Sequence, residues 1–180
     1  ASNYTMTVNV TAVNDAPTAS DNTVTTTEDN NHTFAASEFG FTDVDGDSLD
    51  HVTIATLPST GTLYLSGVAV SAGDQISAAN ISNLVFTPAA NGNGSPYDTF
   101  TFSVNDGTTD SASNYTMTVN VTAVNDAPTV VNDTDSVTEG GTVTETTNSA
   151  GTVISDDSDT DGDSLSVSGT VTQTSATDTS

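Results

Sequence analysis

Ala112-Ser113-Asn114-Tyr115-Thr116-Met117-Thr118-Val119-Asn120-Val121-Thr122-Ala123-Val124-Asn125-Asp126-Ala127-Pro128-Thr129 stands twice in the chain, because residues 1–18 read the same, 111 positions earlier. Tyr115, Met117, Val119 and Val121 fall on one phase of a period of two, and Thr116, Thr118, Asn120 and Thr122 on the other. That pattern predicts a strand with one buried face and one wet, Thr-rich face. The strand has to stop at Ala127-Pro128, since proline donates no ladder hydrogen bond and biases the residue before it towards extended geometry. A repeat of 111 residues predicts one domain per repeat, strung head to tail. Asn125 and Asp126, like Asn14 and Asp15, are then left at a domain boundary with their oxygens available, and we read that boundary as a cation-binding one.

Working outward, residues 1–15 read as the last strand of a preceding repeat, 16–126 as one complete repeat, and 127–180 as the N-terminal part of the next. In the complete repeat, strands are expected at 23–27, 49–56, 62–65, 68–70, 84–87, 99–104 and 115–121. Phe34, Phe39 and Phe41 supply early core bulk, and a short helical turn fits near 77–83. Turn residues punctuate the strands at Pro58–Gly61, Ser66-Gly67, Ala72–Asp74 and Asn105-Asp106-Gly107, and Asn91–Pro96 reads as a glycine-rich loop. About seven short strands with regular turns predict an all-β fold, an immunoglobulin-like β-sandwich. After Pro128 the register holds as far as Glu139, 111 positions beyond Glu28, and then slips. Asp159 lies 116 positions after Asp43, which implies roughly five inserted residues. The third segment ends after Val167 and Val171 with no counterpart of the Leu84–Val121 half, so we read the sequence as a window on a longer array.

Composition narrows the function. The 180 residues carry 24 Asp and Glu, no Lys or Arg, and a formal charge of −24. Nucleic acid and anionic membranes need basic patches, so both are excluded as expected partners. No Lys or Arg salt bridge can form, and the carboxylates must be solvated, hydrogen-bonded or bound to cations. Cysteine is absent, so disulfides hold nothing together, and no run approaches a membrane span.

Three acidic elements recur: Thr-Glu after the first strand, Asp-x-Asp-Gly-Asp, and Asn-Asp before Ala-Pro. Calcium takes six to eight oxygens and tolerates irregular geometry. An Asp-x-Asp alternation puts two carboxylates on one side of a short loop, and the glycine lets the backbone bend around an ion. Unit charges 4 Å apart repel by about 4 kcal/mol at an effective dielectric near 20. Clustered acids without basic neighbours therefore favour a divalent ion. The loop is not an EF-hand, which requires glycine at position six and glutamate at twelve. Counted from Asp43, Gly46 is fourth and Ile54 twelfth. The plainer reading is a solvated turn, since Asp and Gly favour turns anyway.

The run from Phe100 to Thr129 resembles the last two strands and linker of cadherin-like repeats, most closely those of giant bacterial adhesins of the RTX type. Pro58-Ser59-Thr60-Gly61-Thr62-Leu63 and Leu84-Val85-Phe86-Thr87-Pro88 resemble the same group. Asp135–Gly141 with Asp161–Leu165 is similar to VCBS-type repeats. The resemblance implies calcium between successive domains. Glu28 and Asp98 would then come from the base of the complete domain, Asn125 and Asp126 from the linker, and Asp159, Asp161 and Asp163 from the next domain. At the other boundary Asn14 and Asp15 would pair with Asp43, Asp45 and Asp106. It further implies an extracellular structural extender whose partners are neighbouring repeats, with other cells or surface glycans at the distal end.

Two other functions fit the sequence. A glycan-, ice- or protein-binding module would need an exposed aromatic cluster or a long flat Thr array, and of the aromatics only Tyr64 and Tyr97 are expected to be exposed; a fibre subunit could assemble by strand donation. An enzyme is not expected: the carboxylate pairs fall in turns rather than around a pocket, and no base and nucleophile gather around His32 or His51, which are expected at the surface.

Overall fold

The computed structural model describes residues 1, 3–131 and 156–166. Contacts divide the chain into two compact units, 1–124 and 125–180, and each is described by itself. Among the described residues the first unit holds nine strands: β1 (Asn22–Thr27), β2 (His32–Thr33), β3 (His51–Thr56), β4 (Thr62–Leu65), β5 (Val68–Ala69), β6 (Gln75–Ser77), β7 (Leu84–Thr87), β8 (Gly94–Asn105) and β9 (Tyr115–Thr122). One sheet runs β1-β9-β8-β3-β6 and the other β2-β7-β4-β5. β1 lies parallel to β9; the remaining strand pairs are antiparallel. The fold is an all-β immunoglobulin-like sandwich, as the strand periodicity predicts.

The core forms where the apolar phases of the two sheets meet. Val24, Val52, Ile54, Phe100, Phe102, Val104, Met117, Val119 and Val121 come from the five-stranded sheet, and Leu63, Leu84 and Phe86 from the four-stranded one; all are buried. Each core side chain of this size contributes about 1.5–3 kcal/mol by leaving water. The rings meet edge to face, Phe34 on Phe100 at 5.7 Å and Phe39 on Phe102 at 4.9 Å between centroids, the arrangement that aromatic quadrupoles prefer. Two 3-10 helices, Ala36–Phe39 and Ala78–Asn83, drop Phe39 and Ile81 into this core. The second matches the helical turn expected near 77–83.

The structure corrects several details. Asn91–Pro96 is not all loop, since β8 begins at Gly94 and shifts register between Gly94 and Asp98. The irregularity includes a cis Ser95–Pro96 peptide, and it coincides with a proline inside a strand, where a ladder hydrogen bond is lost. The short strands β2 and β6 were not expected. Tyr97 is half-buried, packing against Phe86 and accepting the Ala89 N–H on its hydroxyl at 3.0 Å. Tyr64 is also only partly exposed. Residues 3–13 form no strand in this chain, although the identical residues 114–124 include β9.

In the second unit, Thr129 and Ser158 form an isolated antiparallel bridge, and the Val131 N–H donates to Asp157 Oδ1 at 2.8 Å. The readings placed on Asp135–Gly141, Glu139, Val167 and Val171 lie outside the described residues.

Candidate metal centre

The Asp43–Asp47 loop bends because its first carboxylate serves its own backbone. Asp43 Oδ1 accepts the N–H groups of Asp45 at 2.8 Å and Asp47 at 3.1 Å. Gly46 takes φ +85°, with open space where a Cβ would stand; a left-handed residue here costs glycine nothing. The chain leading into the domain is pinned to this loop: the Asp15 N–H donates to Asp45 Oδ2 at 2.7 Å. Asn14 reaches the β8–β9 turn, donating from Nδ2 to Asp106 Oδ2 at 2.9 Å. Asp106 Oδ1 in turn accepts the N–H groups of Thr108 and Thr109, both at 2.7 Å. The Asn14 amide, together with those backbone donors, holds the Asp106 carboxyl below its ordinary value. A bridge between Thr18 and Thr42, with N–H to O=C distances of 2.8 Å both ways, closes the arrangement.

The second unit repeats the contacts between linker and acidic loop. The Asp126 N–H donates to Asp161 Oδ2 at 2.6 Å, and Asp159 Oδ1 accepts from Asp161 at 3.0 Å and Asp163 at 3.2 Å. Asn125 Nδ2 donates to the Asp126 carbonyl at 2.8 Å, as Asn14 does to the Asp15 carbonyl at 3.0 Å. Gly162 has φ +78°. The five-residue insertion between the two copies therefore leaves the docking of Asn-Asp on Asp-x-Asp-Gly-Asp intact. In each unit the linker engages the loop of the domain that follows it.

Asp43, Asp45 and Asp47 can each bring one carboxylate oxygen to within 4.8 Å of the others. Asp43 Oδ2 is shielded from solvent and has no hydrogen-bond partner. An unsatisfied buried carboxylate oxygen is costly, and the chain has no Lys or Arg to meet it. The backbone hydrogen bonds account for the loop's bend without an ion. The donor set, all oxygen and all anionic, nevertheless suits a hard divalent cation better than any other group. Asp47 adds to the expected set; its signal was present in the sequence, since its counterpart Asp163 was already a candidate.

Glu28 and Asp98 stand elsewhere in the first unit. Glu28 is buried beside the end of β9, with Oε1 accepting the Val124 N–H and Oε2 the Asn93 side-chain amide at 3.1 Å. Asp98 is 7% exposed and anchors the β3–β4 turn. Its Oδ1 accepts the Ser59 N–H at 3.0 Å, the Ser59 hydroxyl at 3.3 Å and the Thr99 N–H at 2.8 Å; its Oδ2 accepts the N–H groups of Thr60 at 2.7 Å and Gly61 at 2.9 Å. Burial raises its pKa, but the four backbone donors outweigh that and hold it below the ordinary carboxylate value. This anchoring was not read from the sequence, because the partner turn lies 37 to 39 residues away.

The histidines are less exposed than expected. His32 Nε2 lies 3.2 Å from Glu38 Oε2. His51 Nδ1 is 2.8 Å from Asp50 Oδ2, and its Nε2 is 3.9 Å from Asp110 Oδ1.

Set against known proteins, residues 14–122 match a family model described as "Bacterial Ig domain". That range is more than half of the chain, and it starts at the Asn-Asp linker and ends with β9. It supports an immunoglobulin-like repeat family, a coarser identification than the cadherin-like and VCBS-type resemblance. No curated protein and no solved structure matches the chain.

Proposed function

The chain belongs to the bacterial Ig domain family, and on that premise we propose that it is a calcium-stiffened structural repeat of an extracellular adhesin or surface fibre. Its task is to hold a distal binding region away from the cell. The family points to a surface or extender module in general. The finer reading rests on one observation: two linkers, 111 residues apart, dock through the same hydrogen bonds onto the acidic loop of the domain that follows.

The residues proposed to hold calcium are Asp43, Asp45 and Asp47 with Asn14, Asp15 and Asp106 in the first unit. In the second they are Asn125, Asp126, Asp159, Asp161 and Asp163. Glu28 keeps lone pairs for a cation beside its two hydrogen bonds, whereas the five donors on Asp98 fill its lone-pair sites and leave it to the β3–β4 turn. A bound cation would supply charge neutralisation. The chain's own groups do the rest: Asp43 shapes the loop, Asp45 fixes the Asp15 amide, and Asn14 ties the linker to Asp106. With the carboxylates neutralised, the linker becomes a rigid extension of the domain; without the ion, their mutual repulsion loosens it.

Calorimetric titration of the chain with calcium tests this. Binding is expected in the range of about 10⁻⁴–10⁻³ M, as for extracellular calcium modules, and is lost in the Asp43→Asn, Asp159→Asn double variant. Small-angle scattering of two tandem repeats should show a longer, stiffer particle in calcium than in chelator. No heat at millimolar calcium, or identical scattering curves, refutes the proposal.

A further inference from the structure

His51 and Asp110 are brought together by backbone pairing around Asn105. His51 opens β3 opposite Asn105 of β8, and Asp110, in the connection between β8 and β9, forms an isolated bridge with the same Asn105. The His51 ring is held on one side only. Its Nδ1 lies 2.8 Å from Asp50 Oδ2. Its Nε2 is shielded from solvent, has no hydrogen-bond partner, and stands 3.9 Å from Asp110 Oδ1, beyond hydrogen-bond reach. A shielded ring nitrogen left unbonded is costly. His32 differs: its Nε2 meets Glu38 Oε2 at 3.2 Å.

We propose that His51 Nε2 and Asp110 Oδ1 hold a divalent first-row transition ion of the zinc class, with Asp50 as the positioning residue. A carboxylate only accepts, so the neutral ring that faces Asp50 carries its proton on Nδ1 and presents a bare lone pair at Nε2. Such a carboxylate on the far nitrogen is the arrangement that orients metal-ligating imidazoles. The gap beyond Nε2 has the right size. Zinc bonds imidazole nitrogen at about 2.0–2.1 Å and carboxylate oxygen at about 2.0–2.2 Å, so a tetrahedral ion holds the two atoms about 3.4 Å apart. The 3.9 Å separation has to close by only about half an ångström. Asp110, whose side chain is 63% exposed, has room to make that movement. Its Oδ1 is steadied by the Asn105 side-chain amide at 2.8 Å and keeps a lone pair besides. Water completes the coordination shell. The nitrogen ligand sets this site apart from the acidic loops, since imidazole suits zinc, copper and nickel whereas calcium takes oxygen. The ion ties the connection between β8 and β9 to the start of β3. None of this rests on calcium, so either proposal can fail alone.

Calorimetric titration of the full chain with zinc tests this, in excess calcium so that the acidic loops are occupied. Saturable binding at submillimolar zinc is expected. His51→Gln or Asp110→Ala should abolish it, and His32→Gln should leave it unchanged. Asp50→Asn should weaken it by about 10–100-fold without removing it, the usual effect of losing an outer carboxylate. Ring-nitrogen NMR of the unsubstituted chain gives a readout that no folding defect can mimic. Zinc should shift the Nε2 resonance of His51 and leave the proton on Nδ1. No saturable heat at submillimolar zinc, binding that survives His51→Gln, full affinity in Asp50→Asn, or an Nε2 resonance unmoved by zinc each overturn the proposal.

Discussion

Asp98 shows how one carboxylate organises a turn in a chain without cations. Five donors surround its two oxygens, four of them backbone N–H groups. Asp98→Asn turns an acceptor into an NH2 facing donors, and hydrogen bonds to charged groups are each worth about 1.5–3 kcal/mol. A loss of about 2–3 kcal/mol in urea unfolding is expected on the same grounds. The pH dependence has a definite sign. The folded pKa lies below the unfolded one, so the stabilisation is complete above about pH 4, the unfolded value, and is lost as pH falls through the folded pKa. The variant should lose that part of the acid limb of the stability curve. At Asp106 the leading cause of the depressed pKa is the Asn14 amide. Asn14→Ala should therefore raise the Asp106 pKa in an NMR titration, while the Thr108 and Thr109 N–H bonds keep part of the shift.

At the scale of elements, the turn between β3 and β4 is held from both sides. Asp98 grips its backbone, and Gly61 lies against the Phe86 ring. A Cβ at Gly61 would stand 2.1 Å from Phe86 Cζ. The ring cannot yield easily, since Phe86 is fully buried and meets Tyr97 edge to face at 6.2 Å. Gly61→Ala is expected to cost about 1–3 kcal/mol, the usual range for overpacking, measured by thermal unfolding. Phe86→Leu in the same chain should recover part of it. Period-two patterning placed β1, β3, β4, β7 and β9 and the inward phases of Val52, Ile54, Met117 and Val119. It missed β2, β6 and the start of β8. Three residues of β6 hold too few alternations to register, and Gly94 with Pro96 reads as a loop wherever local propensity alone is consulted. Tyr97 looked exposed because burial of a residue beside a proline depends on what crosses it, here Phe86.

For the whole molecule, the net charge of −24 on 180 residues is a standing destabilisation. Self-repulsion among exposed carboxylates falls as salt shortens the Debye length from about 30 Å at 0.01 M to about 10 Å at 0.1 M. The melting temperature should rise with sodium chloride over that range. Calcium at equal ionic strength should raise it further, by the linkage that any native-state ligand exerts. A calcium effect no larger than that of sodium would mean that the acids are merely screened.

The sequence by itself determined the repeat, its 111-residue period, the sandwich class and the acidic elements. All of these are carried by alternation, proline and local charge, which act over a few residues. The resemblance already grouped Asn14 and Asp15 with Asp43, Asp45 and Asp106; only the tertiary structure decided which hydrogen bonds tie them. It put Asn14 on Asp106 across 92 positions and Asp15 on Asp45 across 30. It gave Asp98 to a turn and left Asp43 Oδ2 without a partner. Hydrogen bonds between distant loops depend on sheet register, and register is fixed by packing both faces of the core at once, which no local pattern encodes.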